Sequence, residues 1–558
     1  MNKTIAFSAL SRNENIKQVK SEIFDLVVIG GGATGTGIAL DAAARGLKTA
    51  LVEKGDFASG ASSKSTKLIH GGLRYLKQLD MALVRETGTE RAIVHRLAPH
   101  LVLPEKMLMP IIKGGTYGKW ASSFGLMIYD ILAGVKAADR RKMLSKEKTM
   151  QLEPLLNENG LKGSGYYAEY RTDDARLTIE LMKTATQYGA IGLNYCKVED
   201  FIYENDIVKG VLCTDKLDGQ TFEIKFKKVV SAGGPWVDKL RKKDGLVKWK
   251  KLHLTKGVHI VFPHEKFPLK HTTYFDSPDG RMIFAVPRGR ITYVGTTDTN
   301  YKGNLNRVVA SQADSAYLLS VVKYAFPSVN VGVEDIISNW AGLRPLIHKE
   351  GKSPSELSRK DEIFISKKGL ISIAGGKLTG YRKMAERIVD LVIKQMDDVT
   401  KVPFGKCKTE KIPLMLEPLA NTKAVQRYIY ELEKIILEKG LVKYYARYLV
   451  TNYGRQSNLI IEKMNDFSDQ PEVALGRAEA WFSVHHEMVN RAEDFFVRRT
   501  GRLYFEIKSI KLMREVVMND LQMYLKWDDT RLKAENKIMD ELLYDATHYY
   551  EKELEAVS

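Results

Sequence analysis

The sequence predicts an α/β protein in which a parallel-sheet domain is assembled from separate chain segments, a mixed-sheet domain is inserted, and an all-α domain follows. Three observations support this prediction. An apolar strand pattern runs into a glycine-rich turn and a helical pattern near residue 30. Two further strand patterns end in Gly-Gly pairs far downstream, within 228–240 and 369–392. From about residue 410 onward the pattern is helical, without further turns of this kind.

Length and composition bound the class of protein. At 558 residues the chain is too long for one core and should divide into two or three domains. Its three cysteines, Cys196, Cys213 and Cys407, are far apart, so neither a disulfide framework nor a metal site is expected, and a reducing compartment fits. No apolar run approaches the roughly 20 residues of a membrane-spanning helix, and the first residues lack the apolar core of a signal peptide. We therefore expect a soluble or peripheral protein.

The positive charge is concentrated in the N-terminal part of the chain. The formal net charge is +18, yet residues 401–558 carry 25 basic and 25 acidic side chains, so the first 400 residues hold the whole excess. Such a field attracts anionic substrates, anionic lipid or nucleic acid, and charge alone does not choose among them.

The first strand and turn predict a dinucleotide site. Gly30, Gly32 and Gly35 have the G-x-G-x-x-G spacing directly after the apolar run DLVVI, and Gly46 is placed to end the helix that follows. The first glycine allows a tight turn, the second lets the backbone approach a pyrophosphate, and the third lets helix and strand pack closely. Glu53 ends the next strand, where its carboxylate can accept hydrogen bonds from a ribose.

The downstream turns favour FAD over NAD as the dinucleotide. KVVSAGGPWVDKL contains Gly233, and GLISIAGGKLTGYRKMAERIVDLV contains Gly376. Each combines an apolar strand, a Gly-Gly pair and a helical pattern, which indicates one nucleotide-binding domain built from discontinuous segments. FAD is long enough to contact all three turns. The prediction therefore requires the three turns to converge on a single cavity.

Several motifs occur together and in order: SSKSTKLIHGGLRYL, YRTDDARLT, TKGVHIV, VGTTDT, AGLRPL and AGGKLTGYRKMAE. With them the chain resembles FAD-dependent glycerol-3-phosphate dehydrogenases of the bacterial respiratory type over residues 22–400, and RAEDFFVRRTGRLYF at 491–505 extends the likeness. The resemblance implies a Rossmann-like FAD-binding domain, an inserted mixed-sheet substrate domain in an amino-acid-oxidase-like two-domain architecture, and a C-terminal all-α domain. It implies oxidation of sn-glycerol 3-phosphate to dihydroxyacetone phosphate, with electrons passing from flavin to a membrane quinone.

The stretch FASGASSKSTKLIHGGLRYLKQLD at 57–80 is expected to lie between flavin and substrate. Hydroxyls, amides and an ammonium able to line phosphates and the flavin ring come from Ser62, Ser63, Ser65 and Lys67. Gly71 and Gly72 allow the backbone to approach the ring without a Cβ clash. His70 and Arg74 match family positions that face the substrate, which implies a catalytic histidine and an anion-binding arginine.

Downstream motifs supply the remaining candidates. Arg344 precedes a proline in an apolar strand pattern, and a charge there needs an anionic partner, either substrate or a structural salt bridge. His259 alternates with apolar residues and is the second candidate base beside His70, a choice that the sequence leaves open. Lys377 and Thr379 follow the last Gly-Gly pair, where Lys377 would contact substrate and stabilise negative charge on reduced flavin. Asp298 is expected to be structural, and Asp173 to cap a scaffold helix.

Domain boundaries follow from these patterns. Residues 1–21 form a polar leader. The FAD-binding domain combines 22–75, 190–240 and 341–400. The substrate domain combines 76–189 and 241–340, and residues 401–558 form the helical domain.

One basic segment is a candidate membrane contact. Between two tryptophans, WVDKLRKKDGLVKWKKLHL at 236–254 gathers basic side chains that suit an anionic membrane surface, namely Lys239, Arg241, Lys242, Lys243, Lys248, Lys250 and Lys251. We expect a cytoplasmic protein, peripheral on the inner face of the cell membrane, with a homodimer left open and no nucleic-acid partner because no recognition motif supports one. The alternative activity is a glycerol-3-phosphate oxidase that uses dioxygen and produces hydrogen peroxide. An amino-acid oxidase of similar fold is a more distant rival, since the arginine and lysine motifs match the phosphate-using family.

Overall fold

The computed structural model describes six ranges of the chain: 7–69, 81–114, 140–245, 251–347, 360–400 and 403–556, with side chains described to residue 396 in the fifth range. In chain order the described strands are β1 (Ile23–Ile29), β2 (Thr49–Val52), β3 (Leu68–Ile69), β4 (Leu103–Ile112), β5 (Lys142–Leu144), β6 (Leu161–Arg171), β7 (Ile191–Leu193), β8 (Cys196–Glu204), β9 (Ile207–Asp215), β10 (Thr221–Ser231), β11 (Leu252–Pro263), β12 (Thr272–Asp276), β13 (Met282–Arg288), β14 (Ile291–Gly295), β15 (Thr299–Asn300), β16 (Ser338–Ile347), β17 (Asp361–Ile365) and β18 (Leu370–Gly375).

The described α-helices are α1 (Arg12–Ser21), α2 (Ala33–Ala44), α3 (Met81–Leu97), α4 (Lys146–Leu152), α5 (Asp174–Gln187), α6 (Val237–Lys243), α7 (Gln312–Ala325), α8 (Tyr381–Thr400), α9 (Thr422–Glu438), α10 (Tyr444–Tyr453), α11 (Ser457–Lys463), α12 (Pro471–His486), α13 (Arg502–Phe505), α14 (Ile507–Leu525) and α15 (Asp529–Thr547). A π-helical turn spans Asp494–Arg499. Short 3₁₀ turns include Ala61–Ser63, Gly234–Trp236 and Leu378–Gly380.

The first sheet has the strand order β17-β18-β10-β1-β2-β7, and β9 and β8 extend it beside β10. Its centre is parallel, because β1 pairs in parallel with β10 and β2, and β10 pairs in parallel with β18. Buried apolar runs such as Leu26–Ile29 suit strands covered on both faces, with α2 and α8 packed on one of them. The carboxyl ends of β1, β10 and β18 therefore meet at one edge of the sheet.

The second sheet is mixed and has the order β15-β11-β14-β13-β12-β4-β6-β3, with β16 beside β11 and β5 beside β6. Only β12 and β4 pair in parallel among its described strands. All strands of the first sheet come from the three segments assigned to the FAD-binding domain. The second sheet also takes β3 and the last residues of β16 from those segments, and α5, assigned by sequence to the substrate domain, packs on α2 in the core of the first.

The described residues from 403 onward form helices and turns, in agreement with an all-α domain. Apolar side chains of this region, including Phe495, Phe496 and Val517, pack against Trp340 and Tyr293 of the second sheet. Buried ion pairs join the same region to the first sheet, where Arg499 bonds both carboxylate oxygens of Asp56 at 2.6 and 3.0 Å.

The polar leader also docks on the folded body. Within α1, Arg12 is buried and donates to Asp215 at 2.6 and 2.9 Å. Asp215 is the last residue of β9 and lies about 200 residues from Arg12 along the chain, so the sequence pattern does not reveal this buried ion pair.

Candidate active site

The three glycine turns line one cavity of about 1380 Å³, as the sequence predicts. Gly30 and Gly32 follow β1, Gly233 follows β10, and Gly376 follows β18. Because these strands are neighbours and run parallel, their loops share one edge of the sheet, the position at which open α/β sheets bind ligands. The far wall of the cavity comes from β11 and β16 of the second sheet.

Steric contacts at the first turn account for its glycines. Gly30 has a φ of +116°, and a Cβ there would lie 2.5 Å from the carbonyl oxygen of Ala232. A Cβ on Gly35 would overlap the carbonyl oxygen of Gly30, so this glycine lets α2 pack against β1 and does not itself line the cavity. Gly32 lies at the start of α2 and faces the cavity, where the helix N-terminus favours an anionic group.

Ser62 and Glu53 border the cavity beside the N-terminus of α2. The Ser62 hydroxyl accepts a hydrogen bond from the Ala33 N–H at 3.0 Å, in the first turn of α2. The Glu53 carboxylate accepts from the N–H groups of Gly31 at 2.7 Å and Gly55 at 2.9 Å. Burial raises the pKa of Glu53, while these two backbone hydrogen bonds oppose that rise. Both side chains line the cavity.

In the segment around Ser62, some side chains line the cavity and others are buried in the fold. Ser65 lines the cavity, whereas Ser63 is buried outside the lining. Lys67 is 2% exposed and lies away from the cavity; its ammonium donates to Asp174 at 2.5 Å and to the Ser63 carbonyl at 3.1 Å. Lys67 therefore forms an ion pair inside the fold, and the phosphate or flavin contact expected from the sequence is wrong. The sequence did not reveal this pair because Asp174 lies over 100 residues away along the chain.

Gly71 and Gly72, expected against the flavin ring, and His70 and Arg74, expected to face the substrate, lie outside the described residues. Their predicted roles stay predictions.

His259 lies on β11 in the cavity wall and is 1% exposed. Its ring stacks on Trp340 with centroids 4.6 Å apart and an interplanar angle of 11°. Its Nε2 is 3.0 Å from the Thr66 hydroxyl oxygen, and its buried Nδ1 meets no hydrogen-bond partner among the described residues. Burial, together with the charges of Arg344 and Lys67, lowers the pKa of His259 well below its usual range. The ring is therefore neutral at pH 7.

Arg344 lies on β16, opposite Thr255 of β11 in the register. Its guanidinium lines the cavity and donates to the Thr296 hydroxyl at 3.0 Å and the Thr297 carbonyl at 3.2 Å, while Asp298 lies at 3.5 Å. Its side chain is 24% exposed. The guanidinium is therefore a cation fixed in the cavity wall. The sequence left open whether its anionic partner is substrate or a structural salt bridge, and in this structure the nearby carboxylate is that of Asp298.

Lys377, Thr379 and Gly376 bring the third turn into the same cavity. Lys377 precedes the 3₁₀ turn Leu378–Gly380, which leads directly into α8, and Thr379 is 1% exposed. Scaffold predictions nearby also hold: the Asp173 carboxylate accepts from the Arg176 N–H and caps α5.

Sequence patterns did not indicate the residues that surround His259 and Arg344 in the cavity wall. Thr66 and Trp340 hold His259, and Gly257 and Gly295 make room for the functional side chains. A Cβ on Gly257 would overlap the Arg344 guanidinium, and a Cβ on Gly295 would overlap the His259 ring. Glycines inside the strand patterns KGVHIV and ITYVG were the available signal, because a strand glycine often marks a close approach.

The basic segment at 236–254 is only partly exposed. Arg241 is buried, pairs with Asp238 and lies 4.1 Å from the Phe364 ring centroid, so it belongs to the core of this region. Lys239, Lys242 and Lys243 are exposed, and residues 246–250, with Lys248 and Lys250, lie outside the described residues. Within the described ranges, no helix combines the length and apolar character needed to cross a bilayer. No group of His, Cys, Asp and Glu in those ranges is arranged to hold a metal ion.

Two family models match the chain. One, described as FAD dependent oxidoreductase, matches residues 25–382, and the other, described as C-terminal domain of alpha-glycerophosphate oxidase, matches residues 407–532. The chain is 48% identical over 546 residues to the aerobic glycerol-3-phosphate dehydrogenase of Bacillus subtilis, covering 97% of this chain and 98% of that protein.

Solved structures agree with the architecture. The crystal structure of glycerol-3-phosphate dehydrogenase from Bacillus halodurans complexed with FAD is 40% identical, with a TM-score of 0.82 and coverage of 97% of this chain and 99% of that chain. Glycine oxidase from Geobacillus kaustophilus, at 19% identity and a TM-score of 0.53, covers 71% of this chain and 100% of its own, which shows a shared fold alone. The predicted fold class is confirmed.

Proposed function

Since the chain belongs to the family of FAD-dependent glycerol-3-phosphate dehydrogenases, we propose that it oxidises sn-glycerol 3-phosphate to dihydroxyacetone phosphate and passes the electrons to a quinone. FAD is the cofactor of this family. The observation that carries the proposal is the meeting of three glycine turns with Arg344 and His259 around one cavity. A dinucleotide and a small phosphorylated alcohol need such a cavity, with a glycine cradle on one side and a cation on the other.

The residues present fit FAD. A Cβ on Gly30 would clash with the Ala232 carbonyl oxygen, so the tight turn after β1 requires glycine there. This turn leads to the N-terminus of α2, where free N–H groups and the helix dipole suit a pyrophosphate. Glu53 borders the same end and would accept from ribose hydroxyls. Gly32, Ser62, Ser65, Gly233, Gly376 and Thr379 would complete the cofactor contacts. When bound, FAD supplies the acceptor for the hydride that leaves the substrate carbon.

Arg344 is the residue that we assign to the substrate phosphate. Its side chain is 24% exposed, lies in the cavity wall and keeps its guanidinium beside Thr296 and Thr297, so it is already oriented before a ligand arrives. Guanidinium groups suit phosphate because their planar donors form paired, charge-assisted hydrogen bonds. Lys377 on the opposite turn adds a second cation that would contact substrate and favour negative charge on the reduced cofactor.

A proton must leave the substrate hydroxyl as its carbon is oxidised. The two histidines proposed for this step differ in what the structure says of them. His259 is buried and its pKa is lowered, first by burial, which makes it a weak base. His70 lies outside the described residues. The lowered pKa argues against His259 as the base, so His70 is the candidate that remains, and His259 is left a different task at the site.

A quinone is the proposed electron acceptor, and dioxygen is the alternative. Similarity over 97% of the chain to a protein named an aerobic dehydrogenase favours the quinone. The match of residues 407–532 to a family model named for an oxidase supports dioxygen as the alternative acceptor. The exposed Lys242 and Lys251, which do not line the cavity, support contact with an anionic membrane surface, where a quinone is found.

One experiment tests substrate and acceptor in sequence. Purified protein is mixed with sn-glycerol 3-phosphate without oxygen, and the flavin absorbance should bleach. The reduced protein is then mixed with either a soluble quinone or dissolved oxygen. Faster reoxidation by the quinone is expected; hydrogen peroxide released at the rate of substrate turnover would establish the oxidase instead. Binding to anionic vesicles at low salt, compared with neutral vesicles, tests the membrane surface.

A further inference from the structure

The hydrogen bond between His259 and Thr66 joins a buried ring to a side chain that faces the cavity. His259 is 1% exposed, whereas Thr66 is half-buried and lies in the cavity lining. Among the described residues, the Thr66 hydroxyl has no hydrogen bond other than the one to His259 at 3.0 Å. The hydroxyl therefore has one side occupied by the imidazole and the other open toward ligand.

The imidazole ring is fixed in place by its neighbours. Trp340 stacks on it at 4.6 Å, Tyr293 meets it edge-on with centroids 6.3 Å apart, and Gly295 leaves no room for a side chain beside it. A ring packed in this way presents a constant edge to Thr66.

The backbone of Thr66 is held by the same residues. The Tyr293 hydroxyl donates to the Thr66 carbonyl at 2.9 Å, and the Trp340 indole N–H donates to the Ser65 carbonyl at 3.3 Å. Tyr293 and Trp340 thus orient both partners of the His259–Thr66 hydrogen bond. A donor aimed before the ligand arrives needs no reorganisation during reaction, which is how preorganised sites stabilise charge.

The direction of the hydrogen bond follows from the surroundings of the ring. A neutral imidazole carries one N–H, on Nε2 or on Nδ1. The buried Nδ1 finds no partner among the described residues, and a buried N–H without an acceptor is rarer and more costly than an acceptor without a donor. The proton is therefore on Nε2, which donates to the Thr66 oxygen, and the Thr66 hydroxyl proton turns toward the cavity.

We infer that Thr66 is a catalytic residue that donates a hydrogen bond to the reacting oxygen of the substrate, and that His259 is a positioning residue that aims it. The inference rests on the proposed function, because the acceptor is the oxygen of the alcohol being oxidised. As that hydroxyl loses its proton, negative charge develops on its oxygen, and the Thr66 donor stabilises this charge. The proton passes to the general base, the role for which His70 is the candidate, the hydride passes to FAD, and no covalent bond to Thr66 forms.

The test uses the FAD-loaded full chain and anaerobic rapid mixing with sn-glycerol 3-phosphate. The limiting rate of flavin reduction and the apparent substrate Kd are measured for wild type, Thr66→Val and Thr66→Ser. Removing one such donor typically lowers the rate of the chemical step by about 100-fold or more. We expect this loss in Thr66→Val with a much smaller change in Kd, and recovery of most of the rate in Thr66→Ser, which keeps the hydroxyl.

A matched control removes a hydroxyl of the same kind from the same strand as His259. Thr255 on β11 is fully buried, and its hydroxyl oxygen has no hydrogen-bond partner among the described residues. Thr255→Val should reduce its flavin at the wild-type rate. Visible FAD content and thermal midpoint, measured for every variant, separate misfolding from a slow chemical step.

His259 variants separate positioning from base catalysis. Gln can supply an amide N–H to Thr66 but cannot accept a proton at pH 7, so His259→Gln should be faster than His259→Ala. Equal rates in these two folded variants would overturn the positioning role.

Three further outcomes decide the Thr66 assignment. Wild-type rates in Thr66→Val, or equal losses in Thr66→Ser and Thr66→Val, would overturn it. Weaker FAD binding in Thr66→Val with an unchanged reduction rate would assign the hydroxyl to the cofactor and also overturn it. If sn-glycerol 3-phosphate does not bleach the flavin of the wild-type protein, the proposed substrate is wrong and the inference fails with it. If the wild-type flavin is bleached, a slow Thr66→Val variant reflects the loss of the Thr66 hydroxyl and not a wrong substrate.

Discussion

Replacing Arg344 with Ala tests whether this side chain binds the substrate phosphate or serves only the fold. The guanidinium lies in the cavity wall, its side chain is 24% exposed, and Asp298 is its structural partner at 3.5 Å. Truncating one member of a hydrogen-bonded charge pair costs about 2–5 kcal/mol, and partial exposure places Arg344 toward the lower end. A loss of about 3 kcal/mol corresponds to a fall of roughly 100-fold in kcat/KM for sn-glycerol 3-phosphate.

The assay compares two substrates that differ only in the phosphate. Arg344→Ala should lower kcat/KM for sn-glycerol 3-phosphate by that factor and leave kcat/KM for unphosphorylated glycerol almost unchanged, because the lost interaction involves the phosphate alone. The control is Arg171→Ala, which removes an arginine of the same sheet that pairs with Glu105 at 2.6 Å and does not line the cavity. Equal losses for both substrates in Arg344→Ala, with FAD still bound, would refute the phosphate assignment.

The other predictions concern neighbouring groups. Gly257→Ala should mimic the loss of Arg344, since its Cβ would overlap the guanidinium; a wild-type KM for sn-glycerol 3-phosphate would contradict this. Lys377→Met should lower the two-electron flavin potential by about 30 mV per 1.4 kcal/mol of lost stabilisation, measured by dye equilibration, and an unchanged potential would remove its assigned role. Burial alone would raise the pKa of Glu487, but Arg176 and other cations lower it to about 2. Because this pKa is depressed in the folded state, Glu487 stabilises the fold above its ordinary value of 4.5, and that contribution is lost as pH falls toward about 2. Glu487→Gln should therefore lower the denaturation midpoint at pH 7 and flatten its fall between these pH values; an unchanged slope would contradict the linkage.

The glycine turns could be predicted from sequence because local geometry dictates them. Gly30, Gly32 and Gly35 follow a buried strand at fixed spacing, and each has a steric or electrostatic reason to lack a side chain. The Asp173 cap is local for the same reason: its hydrogen bond spans three residues. Convergence of the three turns followed from recognising each as the end of a strand in one parallel sheet.

Long-range contacts explain what the sequence did not reveal. Lys67 looks like a cofactor residue in its Ser-rich ribbon, but Asp174, far along the chain, draws its ammonium into the fold. In the sequence, the pattern around Trp340 indicates only an apolar strand residue. The pairing of β11 with β16 is what places Trp340 against His259. Thr66 gains its proposed role from that same contact. Composition and spacing do not encode such partners, because sheet register sets them.

A crystal structure of the protein with FAD and dihydroxyacetone phosphate, prepared without oxygen, tests the central claim most directly. We predict flavin and product in the single cavity lined by the three glycine turns, with the product phosphate within hydrogen-bond distance of Arg344 and its carbonyl oxygen on Thr66. Product bound outside this cavity, or a phosphate that Arg344 does not reach, would contradict the account.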